Sequence, residues 1–383
     1  MEMDRIKAGW RSFNRSFHVE AKAASRSMVL HWLTWIFPLL LFILIGANFS
    51  AGTLLDLPVA VIDNDHSSLS RKLIRGLDAG SHANVVLYQD NVEKALVDLR
   101  SAKVYGLLYV PYNFESDVLA GHQPSPVFYY NSLFYGAGLY SIQDYPGLIT
   151  ELNQTYSRVI ATAIGRPLPA LAQISLSYES LFNASGNFIY YQQFASVVHI
   201  LQLFVVTCTI YVLSRRKMLL DAKPFSLALM GKMAPYTISY TLLLIIEIAI
   251  LVVYSGARVS GNPLYLLIIG FFYIMAAQSV GLLLFTFTKD IITAYTLIGL
   301  LVGIAMTYSG LTIPELSMPL VARMITNIEP LTYALNAMFD VFLRSFSISS
   351  LFHVCGHLLI YPIVTIFLIR HRLLKRLHIG DTR

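Results

Sequence analysis

Glu247 is the residue whose type and setting most invite chemistry. It stands alone among Leu244, Ile245, Ile246, Ile248, Ala249 and Ile250, where an ionised carboxylate costs on the order of several kcal/mol by membrane-insertion scales. It must face a cavity or a partner, or carry a proton. A pathway role and a structural hydrogen bond to a neighbouring helix are both open. Gln202 and Gln278 are the other polar side chains at such depth. They read first as interhelical hydrogen-bonding groups and, with Tyr308, as candidates to line a pathway.

Other constellations are incomplete. Gly231-Lys232-Met233 lacks the hydroxyl residue and the upstream glycine of a phosphate-cradling loop, so ATP is not expected on this chain by that route. Gly-x-Ser-x-Gly, His-Glu-x-x-His and Cys-x-x-Cys patterns are absent from the sequence. His353 and His357 share a helix face but lack a third ligand. Asp63, Asp65 and His66 form a group that suits a cation or a turn cap, and capping is the expectation. No catalytic set, metal or cofactor is expected, and the chain is not read as an enzyme.

The elements that position these residues belong to a membrane protein. Of 383 residues 56% are hydrophobic and 13% charged, and the mean hydropathy of +0.60 excludes an ordinary soluble design. Spans need roughly 20 apolar residues, and six stretches qualify, near 28–49, 194–213, 234–254, 264–287, 291–313 and 349–369. The net charge of +6 would suggest nucleic acid in a soluble chain. Here its placement matters more, and no nucleic-acid partner is expected. Lys and Arg cluster before the first span, between the second and third, and after the sixth. Both termini are therefore expected in the cytoplasm, with residues 50–193 outside. Cys208 and Cys355 fall inside spans, so no disulfide framework is expected. The first span reads as an uncleaved anchor, being longer than a signal-peptide core.

Residues 1–27 form an expected interfacial helix. Ile6, Trp10, Phe13 and Phe17 make one stripe, and Lys7, Arg11, Arg15, His18 and Lys22 another face, the pattern of a helix lying among lipid headgroups. Its role is anchoring or bracing a cytoplasmic partner. Between residues 50 and 193, strand patterns at 57–63, 84–88, 105–110 and 127–130 alternate with helix patterns, which predicts a mixed α/β domain with part of its sheet parallel. The expected fold is thus a polytopic α-helical membrane protein with six transmembrane helices and an inserted extracytoplasmic α/β domain. Residues 194–383 supply a five-helix transmembrane domain. In its first connection, Pro224 ends one segment and a short helix is expected to stop near Gly231, flanked by lysines and suited to docking. Residues 306–340 are apolar yet broken by Gly310, Pro314, Pro319 and Pro330. Broken backbone at membrane depth is tolerated only where it is buried in protein or lines a cavity.

These pieces resemble the permease subunits of type-2 ABC exporters, in the branch with a large extracytoplasmic domain between the first two spans. The likeness rests on the basic interfacial helix, Leu57 to Asp63 with Ser67 to Arg71, Val104 to Phe114, Ser309-Gly310 to Pro314, Met318-Pro319, and Pro330-Leu331-Thr332-Tyr333. It implies a coupling helix at about 219–232, with Lys217, Asp221, Lys223, Pro224, Phe225, Leu229 and Lys232 meeting a separate ATPase subunit that holds the ATP and magnesium. It implies re-entrant helices at about 314–348, with Ser309, Gly310, Pro314, Met318, Pro319, Pro330 and Tyr333 at an exit gate. Glu315, Glu329 and Asp340 would lie near its water-filled mouth. It further implies a bacterial inner-membrane location, contact with membrane lipids, and a second permease copy or a homologous one. A periplasmic adaptor and an outer-membrane channel are common associates. The expected activity is export of a hydrophobic or amphipathic compound. One departure is Ser214-Arg215-Arg216-Lys217-Met218, where the family usually places glutamates and a Gly-Thr pair. It raises the expectation of pairing with a less divergent permease. The competing readings are a proton-coupled transporter using Glu247 and a membrane receptor with an outer sensing domain.

Overall fold

The computed structural model describes residues 2–48, 52–88, 91–120, 122, 124–131, 135–164, 187–215, 224–311, 313, 315–344 and 346–379. The chain divides into two compact units, one of Met1–Gly52 with Ser180–Arg383 and one of Thr53–Glu179.

The smaller unit carries strands β1 (Leu57–Asp63), β2 (Ala83–Tyr88), β3 (Gly106–Val110) and β4 (Val127–Tyr130) in the order β2-β1-β3-β4. β1 pairs in parallel with both β2 and β3, and β4 closes the sheet antiparallel to β3. Alternate β1 residues point to opposite faces. Val59 and Val61 meet Leu69, Leu73 and Leu77 of α3 (Ser68–Asp78) and Phe114 of α5 (Phe114–Leu119), whereas Ala60 and Ile62 meet Ala95 and Leu99 of α4 (Val92–Arg100). Two further helices, α6 (Tyr135–Ser141) and α7 (Tyr145–Ile164), complete the unit. The Tyr145 hydroxyl donates to Pro126 O at 2.9 Å, and burial pushes its phenol up to about 12.

In the larger unit, α1 (Glu2–Ser25) precedes α2 (Met28–Asn48), which is π-helical over Trp32–Ile36. After the smaller unit come α8 (Phe194–Ser214), α9 (Phe225–Val253), α10 (Pro263–Phe287), α11 (Ile291–Thr307), the short pair α12 (Leu320–Ile328) and α13 (Pro330–Leu343), and α14 (Ile348–Ile379). α10 is the hub, packing against α8, α9, α13 and α14. Its Tyr273 and Phe285 are fully buried, as is Tyr240 of α9. The Tyr240 hydroxyl, which cannot be left unpaired in an apolar core, lies 3.1 Å from Leu33 O in the π-helical turn of α2 and 3.0 Å from Phe204 O.

Five described helices, α2, α8, α9, α10 and α14, are long and apolar enough to cross a membrane. The sixth expected span, 291–313, gives a 17-residue helix that stops at Thr307, about 26 Å long at a rise of about 1.5 Å per residue. Gly310 follows with φ +83°, a conformation that costs other residues roughly 1–2 kcal/mol. A Cβ there would meet only Asn336 Nδ2, at an ordinary 3.9 Å. Gly310→Ala is therefore expected to destabilise by that backbone amount alone, read as a modest fall in thermal unfolding temperature of the purified protein.

The ends of α11 and α14 are tied down by polar groups. Asp290 caps α11, accepting from the Thr293 amide at 2.7 Å and hydroxyl at 2.9 Å, and these bonds hold its carboxyl below the usual range. Arg376 donates to the Phe285 and Thr288 carbonyls at the end of α10, with its guanidinium 4.5 Å from the Phe285 ring centroid. The basic tail of α14 thus caps a neighbouring helix.

Candidate functional site

Polar groups gather in two places in the larger unit, and a third feature is an exposed helix face. The first place is the break between α11 and α13. Helix ends leave carbonyls without intrahelical partners, and at membrane depth each needs a donor. Thr326 Oγ1 donates to Tyr308 O at 2.9 Å, Tyr333 OH to Asn327 O at 3.1 Å, and Tyr361 OH to Ile328 O at 2.8 Å. Ser309, fully buried, donates to Met306 O at 2.8 Å. Met318 is buried, Pro319 caps α12, and Pro330 opens α13, where its missing N–H costs nothing. The Tyr333 ring stacks on His357, whose Nδ1 lies 3.0 Å from His353 O. That histidine pair is engaged locally.

Gln202 of α8 joins this break to the hub. Its Nε2 donates to Glu329 Oε1 at 2.7 Å, and its Oε1 lies 3.3 Å from Tyr273 OH. Glu329, expected at a water-filled mouth, is half-buried and tethered by an amide 127 residues away. Gln202→Leu would strand a partly buried carboxylate and is expected to cost about 1–3 kcal/mol. Glu329→Gln keeps an oxygen acceptor and should cost less. Thermal unfolding of the two variants side by side checks the order.

The second place is the crossing of α1 over α9. Lys232 Nζ lies 2.6 Å from Glu20 Oε2, Tyr236 OH donates to Glu20 Oε1 at 2.7 Å, and Arg215 Nη1 stands 4.0 Å from Glu20 Oε1. The Lys232 and Glu20 side chains are 4% and 6% exposed. The helices approach closely because each places a glycine against the other. A Cβ on Gly9 would come within 2.6 Å of Leu227 Cδ1, and one on Gly231 would collide with the Phe13 carbonyl. The face of α1 turned inward is therefore Gly9, Ser16 and Glu20, while Trp10 of the aromatic stripe is 63% exposed.

The expected coupling helix at about 219–232 lies in part outside the described residues, and the described part differs from the expectation in where the helix stops. No separate helix ends near Gly231: α9 runs unbroken from Phe225 through Gly231 and Pro235, because α1 packs on that segment. Phe225, Leu229 and Lys232 are buried within the chain rather than presented to a partner, and only Pro224 of the described candidates is exposed. Lys217, Asp221 and Lys223, and Pro314 of the gate, lie outside the described residues. Sequence reasoning missed Glu20, Arg215 and Tyr236. A signal existed: Glu20 continues the 6, 10, 13, 17 spacing, placing an acid on an apolar stripe.

The remaining candidates lie apart from both places. Gln278 is buried, accepting from Thr237 Oγ1 at 3.0 Å and donating to Met233 O at 3.3 Å, so it bonds α10 to α9. Glu247 is 3% exposed, and its Oε2 has no hydrogen-bond partner among the described residues. In the smaller unit Asp63 accepts from the Asp65 and His66 amides at 3.1 and 3.0 Å and from Ser70 Oγ at 2.8 Å, a turn cap. Among the described residues no group of three or more His, Cys, Asp or Glu could hold a metal.

The third feature is an exposed face of α11. Ala294, Ile298, Val302 and Ala305 are buried, and Val302 O lies 2.7 Å from His199 Nε2 of α8. The opposite stripe, Thr296, Gly299, Gly303 and Thr307, is exposed. No heavy atom lies within 4 Å of where a Cβ would stand on either glycine. Gly299 to Gly303 is a G-x-x-x-G spacing, which lets membrane helices pack backbone to backbone.

The family model described as ABC-2 family transporter protein matches residues 28–370, nearly the whole chain. The chain belongs to this family. A comparison with curated proteins gave no match. As a type-2 ABC permease the chain is a multi-pass transport subunit, not itself the catalytic one, and its partner is an ABC ATPase subunit. The tethered break, the α1 crossing and the open face of α11 are thus features of an ABC-2 permease.

Proposed function

We propose that this ABC-2 permease exports a hydrophobic or amphipathic compound through a cleft between two permeases, driven by the partner ATPase. The observation that carries the reading is the α11 stripe. A span facing lipid has no need of Thr296, Gly299, Gly303 and Thr307 in one row, whereas a span facing another helix does. On this reading α11 is a short sixth span, and the unit Thr53–Glu179 lies outside the cytoplasm, as the placement of Lys and Arg favours. Both termini are cytoplasmic in a bacterial inner membrane.

The ATPase docks at the connection holding Lys217, Asp221, Lys223 and the exposed Pro224. Its movement passes through the α1–α9 crossing, since Arg215 and Lys232 both border Glu20. The break at 308–333 forms paired re-entrant helices that gate release. Gln202 carries motion of α8 to that gate through Glu329. A cognate adaptor and outer-membrane channel would continue the route outward.

Cysteine cross-linking tests the cleft. Thr296→Cys or Thr307→Cys should give a covalent permease pair on mild oxidation, because Cys208 and Cys355 are both buried and compete little. A pair of this chain with itself indicates a homodimer, and a heterodimer is read with the matching cysteine placed in the co-purified second permease, so that both thiols are supplied. A chain that stays uncrosslinked in the assembled complex contradicts the cleft. The alternative, proton coupling at Glu247, is kept because its Oε2 is buried without a partner.

A further inference from the structure

The smaller unit holds a cavity of about 350 Å³ beside the ends of β1 and β2, lined by Val61, Asp63, His66, Arg71, Ile74, Arg75 and Tyr88. We propose that this cavity binds a small organic anion, with Arg71 and Arg75 holding a carboxylate or phosphate and Tyr88 flanking an apolar body.

Arg71 and Arg75, one helical turn apart on α3, line the same space, and among the described residues Asp63 is the one acid that does so. That carboxylate is consumed: Oδ1 accepts from two backbone amides and Oδ2 from Ser70 Oγ. It caps the turn and is not aimed at either arginine. Arg71 Nη1 is held by His66 O at 2.6 Å, which fixes the guanidinium and leaves its other N–H groups for a ligand. His66 itself has φ +53°, a conformation unfavourable to a residue with a side chain. The turn that aims its carbonyl at Arg71 is thus held against that cost by the two bonds to Asp63. Arg75 makes no ion pair with a described residue.

Shape and polarity define the rest of the ligand. Val61 and Ile74 are buried and make an apolar floor, while Tyr88, 69% exposed, stands at the rim as a wall. The volume lies in the range of small-molecule sites, roughly 300–1,000 Å³. Arginine suits planar carboxylates and phosphates because its donors form a fixed fork. Arg71 and Arg75 are exposed, so a neutral ligand would forgo their charge-assisted hydrogen bonds, and a bare inorganic anion would leave Tyr88 unused. This site is separate from the cleft, and its assay does not require transport.

The test uses the full-length protein in detergent and titration calorimetry with benzoate, phenyl phosphate, inorganic phosphate and benzyl alcohol. Benzoate or phenyl phosphate should bind, and comparison of the two identifies the preferred head group. Benzyl alcohol should bind at least about tenfold more weakly, the size of one charge-assisted hydrogen bond. Arg75→Glu, and Arg75→Met as a milder change, should weaken the anions about tenfold or more with unfolding temperature unchanged. Tyr88→Ala should weaken phenyl phosphate but not inorganic phosphate. The proposal is overturned if neither aromatic anion binds, if benzyl alcohol binds as well as benzoate, or if an Arg71→Met/Arg75→Met variant binds like the wild type. Equal binding of inorganic and phenyl phosphate would overturn the apolar part.

Discussion

Glu20→Ala is expected to destabilise the larger unit by about 3–5 kcal/mol, the cost of leaving a buried charge without its partner. Lys232 Nζ is 4% exposed and would keep only Arg215 O, at 3.4 Å, as acceptor. Tyr236 would lose its acceptor too. The size of the loss does not mean that the ion pair stabilises by that amount, because burying both charges was itself unfavourable. Glu20→Met with Lys232→Met removes both, and the double variant should therefore be more stable than Glu20→Ala alone. Thermal unfolding of the detergent-purified proteins decides. A Glu20→Ala protein that melts like the wild type would show that the α1–α9 crossing is held by packing at Gly9 and Gly231 instead.

Gly303→Leu gives the second large effect, and its sign is informative. In a helix facing lipid, leucine in place of an exposed glycine should stabilise by about 1 kcal/mol, since glycine is the poorer helix former. A Cβ added at Gly303 has no described atom outside its own helix backbone within 4 Å. In a helix packed against a second permease, the same side chain forces the backbones apart. The expected outcome is a monomer that folds, with an unfolding temperature at or above wild type, yet fails to assemble a two-permease complex and loses its ATPase-coupled activity. Size-exclusion chromatography with the co-expressed ATPase separates the cases. A Gly303→Leu complex that assembles and works normally places α11 against lipid.

Much of the architecture was legible because it follows from periodicity. The strand patterns at 57–63, 84–88, 105–110 and 127–130 coincide with β1 to β4 within a residue, since strands of a largely parallel sheet read as short apolar runs bounded by turn residues. The stretches near 194–213 and 264–287 coincide with α8 and α10 because only apolar helices fit that burial. Gly310 follows the end of α11 with positive φ, and Pro319 and Pro330 stand where α12 and α13 begin, where a missing N–H is tolerated. Gly231 misled for a related reason. Glycine acts as a stop when a helix stands alone, but α1 packs on this segment and Gly231 provides the room for its backbone. Long-range partners were illegible in principle. Glu20 and Lys232 are 212 residues apart, and Gln202 and Glu329 are 127 apart, so no local spacing announces them.

Whether ATP hydrolysed on the partner drives transport through this ABC-2 permease is measured in proteoliposomes holding the permease and its cognate ATPase, with ATP supplied on the ATPase side and movement of an amphipathic dye followed. Transport is expected to run away from the ATPase side, to need hydrolysable ATP, to continue when a protonophore removes the proton gradient, and to survive Glu247→Gln. Transport that persists without ATP, collapses with the protonophore and is abolished by Glu247→Gln would contradict ATP-driven transport.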